Sequence, residues 1–217
     1  SEGARPLLAR VMEHIRTNCD PAYEEYERLG RNRAERFSYA PGQLEILADL
    51  KAKAKEAGLW NFFLPNAETG EGLSNLDYAY IAFELGRNPL ASQSLNCSAP
   101  DTGNMEVLER VGTPAQKERW LKPLLAGEIR SAFAMTEPDV ASSDARNVST
   151  TAVLENGEWV INGEKYYISG VDEADAILRA LQQPRLADAV AAAVEVTVTA
   201  VVVSVSSLSA TGVLELR

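Results

Sequence analysis

The 217-residue chain has one histidine, His14, and two cysteines, Cys19 and Cys97. His14 lies in a run with Leu7, Leu8, Val11, Met12 and Ile15, whose spacing predicts an amphipathic helix, and it reads as a helix-surface histidine. A Ser-His-Asp triad and a multi-histidine metal site then lack the residues they need, so no metal is expected. The cysteines lie far apart, outside C-x-x-C spacing and without the look of a disulfide framework, which fits a reducing compartment. Basic excess is missing: 21 Lys and Arg stand against 31 Asp and Glu, a net charge of −10, and this excludes a nucleic-acid partner. No apolar run approaches the roughly 20 residues a membrane-spanning helix requires, and Val196 to Val205 is too short. Arg5, Arg10 and Arg16 would suit a transit peptide, but Glu2 and Glu13 do not. The expected home is cytoplasmic, or an organelle matrix in a eukaryote.

The chain is 46% hydrophobic and 24% charged, the balance of a globular protein able to bury a core. Up to about Gly127 the pattern is repeatedly helical. Leu44, Leu47, Leu50, Ala54 and Ala57 recur at helical spacing and stop at Gly58, which can take the left-handed C-terminal conformation. Ser74 or Asn75 can cap a second helix carrying Tyr78, Ile81, Ala82 and Leu85 and ending at Gly86. A third runs from about Thr102 to Gly112. The fourth has the strongest start signal, with Thr113 at the N-cap, Pro114 at the first helical position and Gln116 placed for a capping box.

Past residue 130 the period changes. Thr151 to Glu155 and Glu158 to Asn162 read as strands around Asn156-Gly157, a pair suited to a tight hairpin with positive φ. A second Asn-Gly, at 162 and 163, leads into Lys165-Tyr166-Tyr167-Ile168-Ser169, where the tyrosines read as alternating strand faces. After Val171 aromatic residues and lysine disappear. Ala174, Ile177, Leu178 and Leu181 fit a short helix, and Val196 to Val205 a β-rich run. The fold class is α+β: an all-α N-terminal domain over 1–130, an antiparallel β-domain begun over 131–170 and incomplete, and a divergent tail over 171–217.

Phosphate-binding motifs fail on inspection. Gly70-Glu71-Gly72 meets Asn75 where G-x-G-x-x-G needs its third glycine, and no Walker-type sequence exists. The segment Phe133-Ala134-Met135-Thr136-Glu137-Pro138 through Ser142-Ser143-Asp144 carries more. It begins as a buried strand, and Pro138 bars continuation of a central ladder, so main-chain amides and the Thr136 hydroxyl lie at a strand end. Such a rim suits a heteroaromatic ring with carbonyl and nitrogen acceptors. On the residues alone the favoured reading is an ordinary strand-to-loop corner with Ser142, Ser143 and Asp144 as turn residues.

Thr136-Glu137-Pro138 through Ser143-Asp144, followed by Val160 to Lys165 and Tyr167-Ile168-Ser169, resembles the two flavin-contacting signatures of acyl-CoA dehydrogenases. Gln116 to Leu121 with Gly127-Glu128, and Leu59-Trp60-Asn61 with Leu64-Pro65, resemble earlier family segments, so the resemblance covers about residues 4–170. Ala99 to Val107 and Asp139 to Asp144 resemble the branch of members 10 and 11. The resemblance implies FAD as cofactor, an acyl-CoA substrate, an electron acceptor and a homo-oligomeric family. It implies that Phe133, Met135, Thr136, Glu137, Pro138, Ser142 and Ser143 line the cofactor, with Thr136 donating to the flavin and Ser143 facing the acyl-CoA. It further implies that Tyr167, where relatives have tryptophan, stacks near the flavin, and that Ser169, in place of a threonine hydroxyl donor, also binds the cofactor.

In the family a glutamate on a C-terminal helical bundle abstracts the α-proton while the β-hydride passes to flavin. After Gly170 the sequence offers no matching motif, so that bundle is absent, no catalytic residue can be assigned, and this chain alone is expected to lack normal turnover. A shifted reading frame or a recombined gene would explain the change after Gly170, and a short variant with a new C-terminus is the rival. Two other readings stay open: a non-catalytic helical interaction protein on the same scaffold, and a related flavin oxidase or monooxygenase.

Overall fold

The computed structural model describes residues 1–34, 38–156, 158–170, 176–181, 199–203 and 214–216. The chain divides into two compact units, Ser1–Thr102 and Gly103–Arg217.

The first unit is helical. α1 (Ala4–His14) passes through a π-turn at Ile15–Cys19 into α2 (Asp20–Gly30). Pro21 lies two residues past this turn, and its missing N–H cannot donate back, so a locally widened helix accommodates it. α3 (Gln43–Glu56) bears the predicted stripe of Leu47, Leu50 and Ala54, and Gly58 takes the expected positive φ of 61°. α4 (Asn75–Leu85) starts as expected at Ser74, whose hydroxyl accepts the Asp77 amide at 3.1 Å. The short α5 (Ala91–Ser94) packs against α3 and α4, and α1 packs against α4.

Leu59, Phe62, Leu64, Ile81 and Leu95 fill the interior of this unit, each at most 2% exposed. Each such side chain contributes about 1.5–3 kcal/mol by leaving water. Between them, Asn61 and Asn96 both adopt left-handed backbone, and the Asn96 amide donates to Asn61 Oδ1 at 2.7 Å, so the burial leaves these polar groups paired.

The expectation for His14 is corrected: it is buried, only 4% exposed. The buried stripe of α1 is Ala4, Leu7, Val11 and His14, steps of three and four that place the imidazole on the inner face, while Met12 turns outward. Burial, with a smaller contribution from Lys53, holds the His14 pKa below its ordinary value, so the ring sits neutral in the core.

α6 (Asp101–Val111) spans the division between the units. Its Asn104 amide donates to Ser131 Oγ at 2.8 Å and to Ala132 O at 3.2 Å, which ties this helix to the first strand and places most of it in the second unit. Thr113, Pro114 and Gln116 form the predicted capping box at α7 (Pro114–Gln116). A second π-turn, Lys117–Leu121, leads to α8 (Lys122–Ala126), again just before a proline, Pro123. Gly127 closes it at φ 68°.

β1 (Ser131–Ala134) is followed by the hairpin of β2 (Thr151–Glu155) and β3 (Glu158–Lys165), paired from Thr151↔Asn162 to Glu155↔Glu158 with Asn156 at φ 51°. The second Asn-Gly makes no turn but stays inside β3. There Gly163 is required by close approach, since a Cβ would lie 2.3 Å from Thr150 Oγ1.

Beyond Gly170 the described segments are strands: β4 (Ala176–Leu181), β5 (Thr199–Val203) and β6 (Leu214–Leu216). The short helix expected around Ile177 to Leu181 is therefore corrected to a strand. A brief apolar run fits either state, and parallel pairing with β1 gives main-chain groups of this segment hydrogen-bond partners. β1 and β4 run parallel, β4 and β5 antiparallel, and β6 joins β3 antiparallel, giving the orders β1-β4-β5 and β2-β3-β6. Strand β5 falls within the β-rich run that the sequence predicts.

Candidate functional site

The site is built where β1 and β3 end. β1 stops at Ala134, before Pro138, so the departure from the ladder comes earlier than proline chemistry alone requires. Met135 and Thr136 are half-buried, Pro138 is exposed, and Glu137 between them turns into the protein with 2% exposure.

Its carboxylate accepts from Ser149 N at 2.7 Å, Ser149 Oγ at 2.6 Å, Thr150 N at 2.9 Å and Lys165 Nζ at 2.7 Å. The Lys165 ammonium also donates to Met135 O at 3.0 Å, and its side chain is fully buried. Burial alone would raise the Glu137 pKa, but hydrogen bonds from Lys165, Ser149 and Thr150 outweigh it and hold the group at about 2. A carboxylate so occupied is a poor proton acceptor.

The loop is fastened at further points. The Glu137 amide donates to Ser142 Oγ at 2.8 Å, and that hydroxyl donates to Val140 O at 3.3 Å, so buried Ser142 stabilises the turn from within. Asp144 accepts the Arg146 amide at 3.2 Å and its guanidinium at 2.9 and 2.7 Å, which hold the Asp144 pKa at about 2. Ser143 beside it is exposed.

The exit of β3 meets this loop directly. Tyr166 N donates to Thr136 O at 3.1 Å. Here the alternating strand faces expected for the two tyrosines are corrected: β3 ends at Lys165, and Tyr167 turns the chain with a left-handed φ of 53°. Tyr166 is half-buried and Tyr167 is 83% exposed, with ring centroids 4.2 Å apart. Ile168 returns to the interior and Ser169 is exposed.

The structure thus brings Met135, Thr136, Glu137 and Ser142 together with Lys165 and Tyr166. Phe133 is half-buried within β1, and Ser143, Tyr167 and Ser169 stand exposed near these ends in sequence. Lys165, Ser149 and Thr150 carry the organisation without having been singled out from sequence. One signal was available: Ile161, Gly163 and Lys165 share a strand face by period two, and a lysine on an inward face calls for an acidic partner.

The N-terminal domain of acyl-CoA dehydrogenases matches residues 1–128, and their middle domain matches residues 132–214. The chain belongs to the acyl-CoA dehydrogenase family. The middle-domain match runs past Gly170, where recognisable sequence motifs stop, and includes β4 and β5.

Mouse acyl-CoA dehydrogenase family member 10 is 47% identical over 176 residues, covering 79% of this chain and 16% of that protein. A structure described as an acyl-CoA dehydrogenase from Mycobacterium abscessus is 46% identical with a TM-score of 0.75, covering 84% of this chain and 46% of that one. An acyl-CoA dehydrogenase from Bacillus anthracis, solved with FAD, is 25% identical with a TM-score of 0.58, covering 84% of this chain and 30% of that one. The chain spans well under a third of the length of the mouse relative.

Proposed function

We propose that this chain supplies one wall of an FAD site serving α,β-dehydrogenation of acyl-CoA thioesters. The supporting observation is the hydrogen bond from Tyr166 N to Thr136 O, which couples the two segments that resemble the family's flavin signatures. The residues fit such a ring. Tyr167 offers an exposed aromatic ring, tilted 31° against that of Tyr166, while Ser169, two residues further on, and Thr136, whose carbonyl accepts from Tyr166 N, offer hydroxyl donors. Ser143, exposed on the same loop, is assigned to the acyl-CoA side, and Phe133, Met135 and Pro138 to the cofactor's surroundings.

When bound, FAD supplies the hydride-accepting chemistry of the reaction. The residues of this wall orient and hydrogen-bond; none is assigned as the base that removes the α-proton. Glu137 is unsuited to that task because its oxygens are filled and its pKa is low. In this reading the base and the subunit contacts are supplied by other parts of an assembled enzyme, and the electron acceptor is a separate partner. The purified chain, titrated with FAD, is expected to perturb the flavin absorbance and to gain thermal stability. An unperturbed spectrum together with an unchanged melting temperature would leave a scaffold that does not hold flavin. Acyl-CoA oxidation measured beside oxygen consumption separates dehydrogenase from oxidase chemistry.

A further inference from the structure

The donors to the Glu137 carboxylate link it to segments distant in sequence. Its carboxylate is bound by the Ser149 and Thr150 amides at the far end of its own loop, and by Lys165 from β3. Lys165 in turn binds Met135 O, one residue ahead of Thr136, while Tyr166 N binds Thr136 O one residue after Lys165. The two ends therefore meet at successive positions, 135 with 165 and 136 with 166. These contacts join the two segments just past the last residues of β1 and β3, which lie in different sheets, so no ladder pairing fixes their spacing.

A buried ion pair is a costly way to gain stability, because both charges lose hydration, and an apolar pair of similar volume often does as well. What it offers is direction. Lysine reaches two acceptors at once, and the carboxylate gathers donors from the loop's return, so the arrangement specifies one relative placement of the segments.

We propose that Glu137 and Lys165 are a positioning pair that holds the Thr136 loop in register with the Tyr166–Ser169 segment, without themselves touching the cofactor. This deepens, and rests on, the FAD-site reading. In it Glu137 acts from behind the wall that Thr136 and Tyr167 present.

The test compares the full chain with Glu137→Gln, Lys165→Met and the double variant, using FAD affinity, the visible circular dichroism of bound flavin and amide hydrogen exchange without FAD. Each single variant is expected to weaken FAD binding at least tenfold and to alter the flavin signal. Exchange should accelerate at least tenfold at Ser149, Thr150 and Tyr166 together, although Tyr166 is bonded to neither mutated side chain. The double variant should bind FAD no worse than the weaker single variant, because the stranded charge is gone. Multiplying losses in the double variant, or a loss confined to Glu137→Gln with Lys165→Met silent, would overturn the pair and make Glu137 a direct contact. Should the single variants fail to fold, the double variant decides: wild-type affinity and flavin signal overturn the proposal, and a folded protein with weakened binding supports it. A parent chain that takes no FAD rejects the flavin reading; exchange then decides whether the two segments are coupled through the pair.

Discussion

Phe62, Leu50 and Leu64 are among the largest fully buried side chains of the helical unit, whereas in the β unit that group includes a lysine, Lys165. The first unit is assembled by apolar surface leaving water, which is tolerant of geometry and roughly additive in area. The region around β1 and β3 adds a buried network that is favourable only while every member keeps its partner. A scaffold can be built from the first kind of interaction; a site whose atoms must lie at fixed spacings draws on the second.

The difference predicts unequal sensitivity to single changes. Lys165→Met strands the Glu137 carboxylate with its backbone donors but without its cation, and the expected loss is about 3–5 kcal/mol in chemical denaturation. In the helical unit, Leu50→Ala at a fully buried position is expected to cost about 2–5 kcal/mol, with a change that does not depend on pH. A lysine change costing under about 1 kcal/mol would break the comparison, since a pair so cheaply removed could not specify register.

Acid separates the regions further. Glu137 has a folded pKa of about 2 against an ordinary 4.5, so the unfolded chain binds more protons between those values. Its contribution is fully present above about pH 4.5 and is lost as pH falls toward 2, on the order of 3 kcal/mol in all. His14 moves in the same direction at higher pH. Its folded pKa lies below 6.5, so stability from keeping the ring neutral declines as pH falls below that value. Hydrogen exchange followed against pH should show α1 loosening first and the Glu137 loop later. His14→Leu should remove the upper step, and Glu137→Gln the lower one.

Much of the helical structure in both units could be read from sequence because its signals are local. Leu47, Leu50 and Ala54 announce a helix by spacing, Thr113-Pro114 announces a start, and Gly58 and Gly127 announce stops. The inward place of His14 is local too, since it lies three residues after Val11 on the apolar stripe. In the β unit the Asn156 turn was equally local. What stayed hidden was non-local: that β4 would pair with β1 in parallel, and that Lys165 would cross to Glu137. The family signatures marked Thr136 and Tyr167 as neighbours of one ligand, while the residues that fix their spacing, Ser149, Thr150 and Lys165, declare themselves only through contacts between distant segments.

Smaller effects sharpen the same distinction. Thr113→Ala removes the hydroxyl that accepts the Gln116 amide, and about 1 kcal/mol should be lost at an exposed cap. Smallest of all is the surface pair of Arg28 and Glu25, whose atoms lie as close as 2.6 Å, closer than the 2.7 Å between Lys165 and Glu137. Both partners of the surface pair are at least half exposed, so water and salt compete for each charge and holding two long side chains together costs entropy. Arg28→Ala is expected to make only a small change in stability. That difference should shrink further in high salt, while the effect of Lys165→Met persists because salt does not reach a buried pair. Equal salt sensitivity of the two variants in parallel denaturation curves would show that distance, and not burial, sets what an ion pair does in this protein.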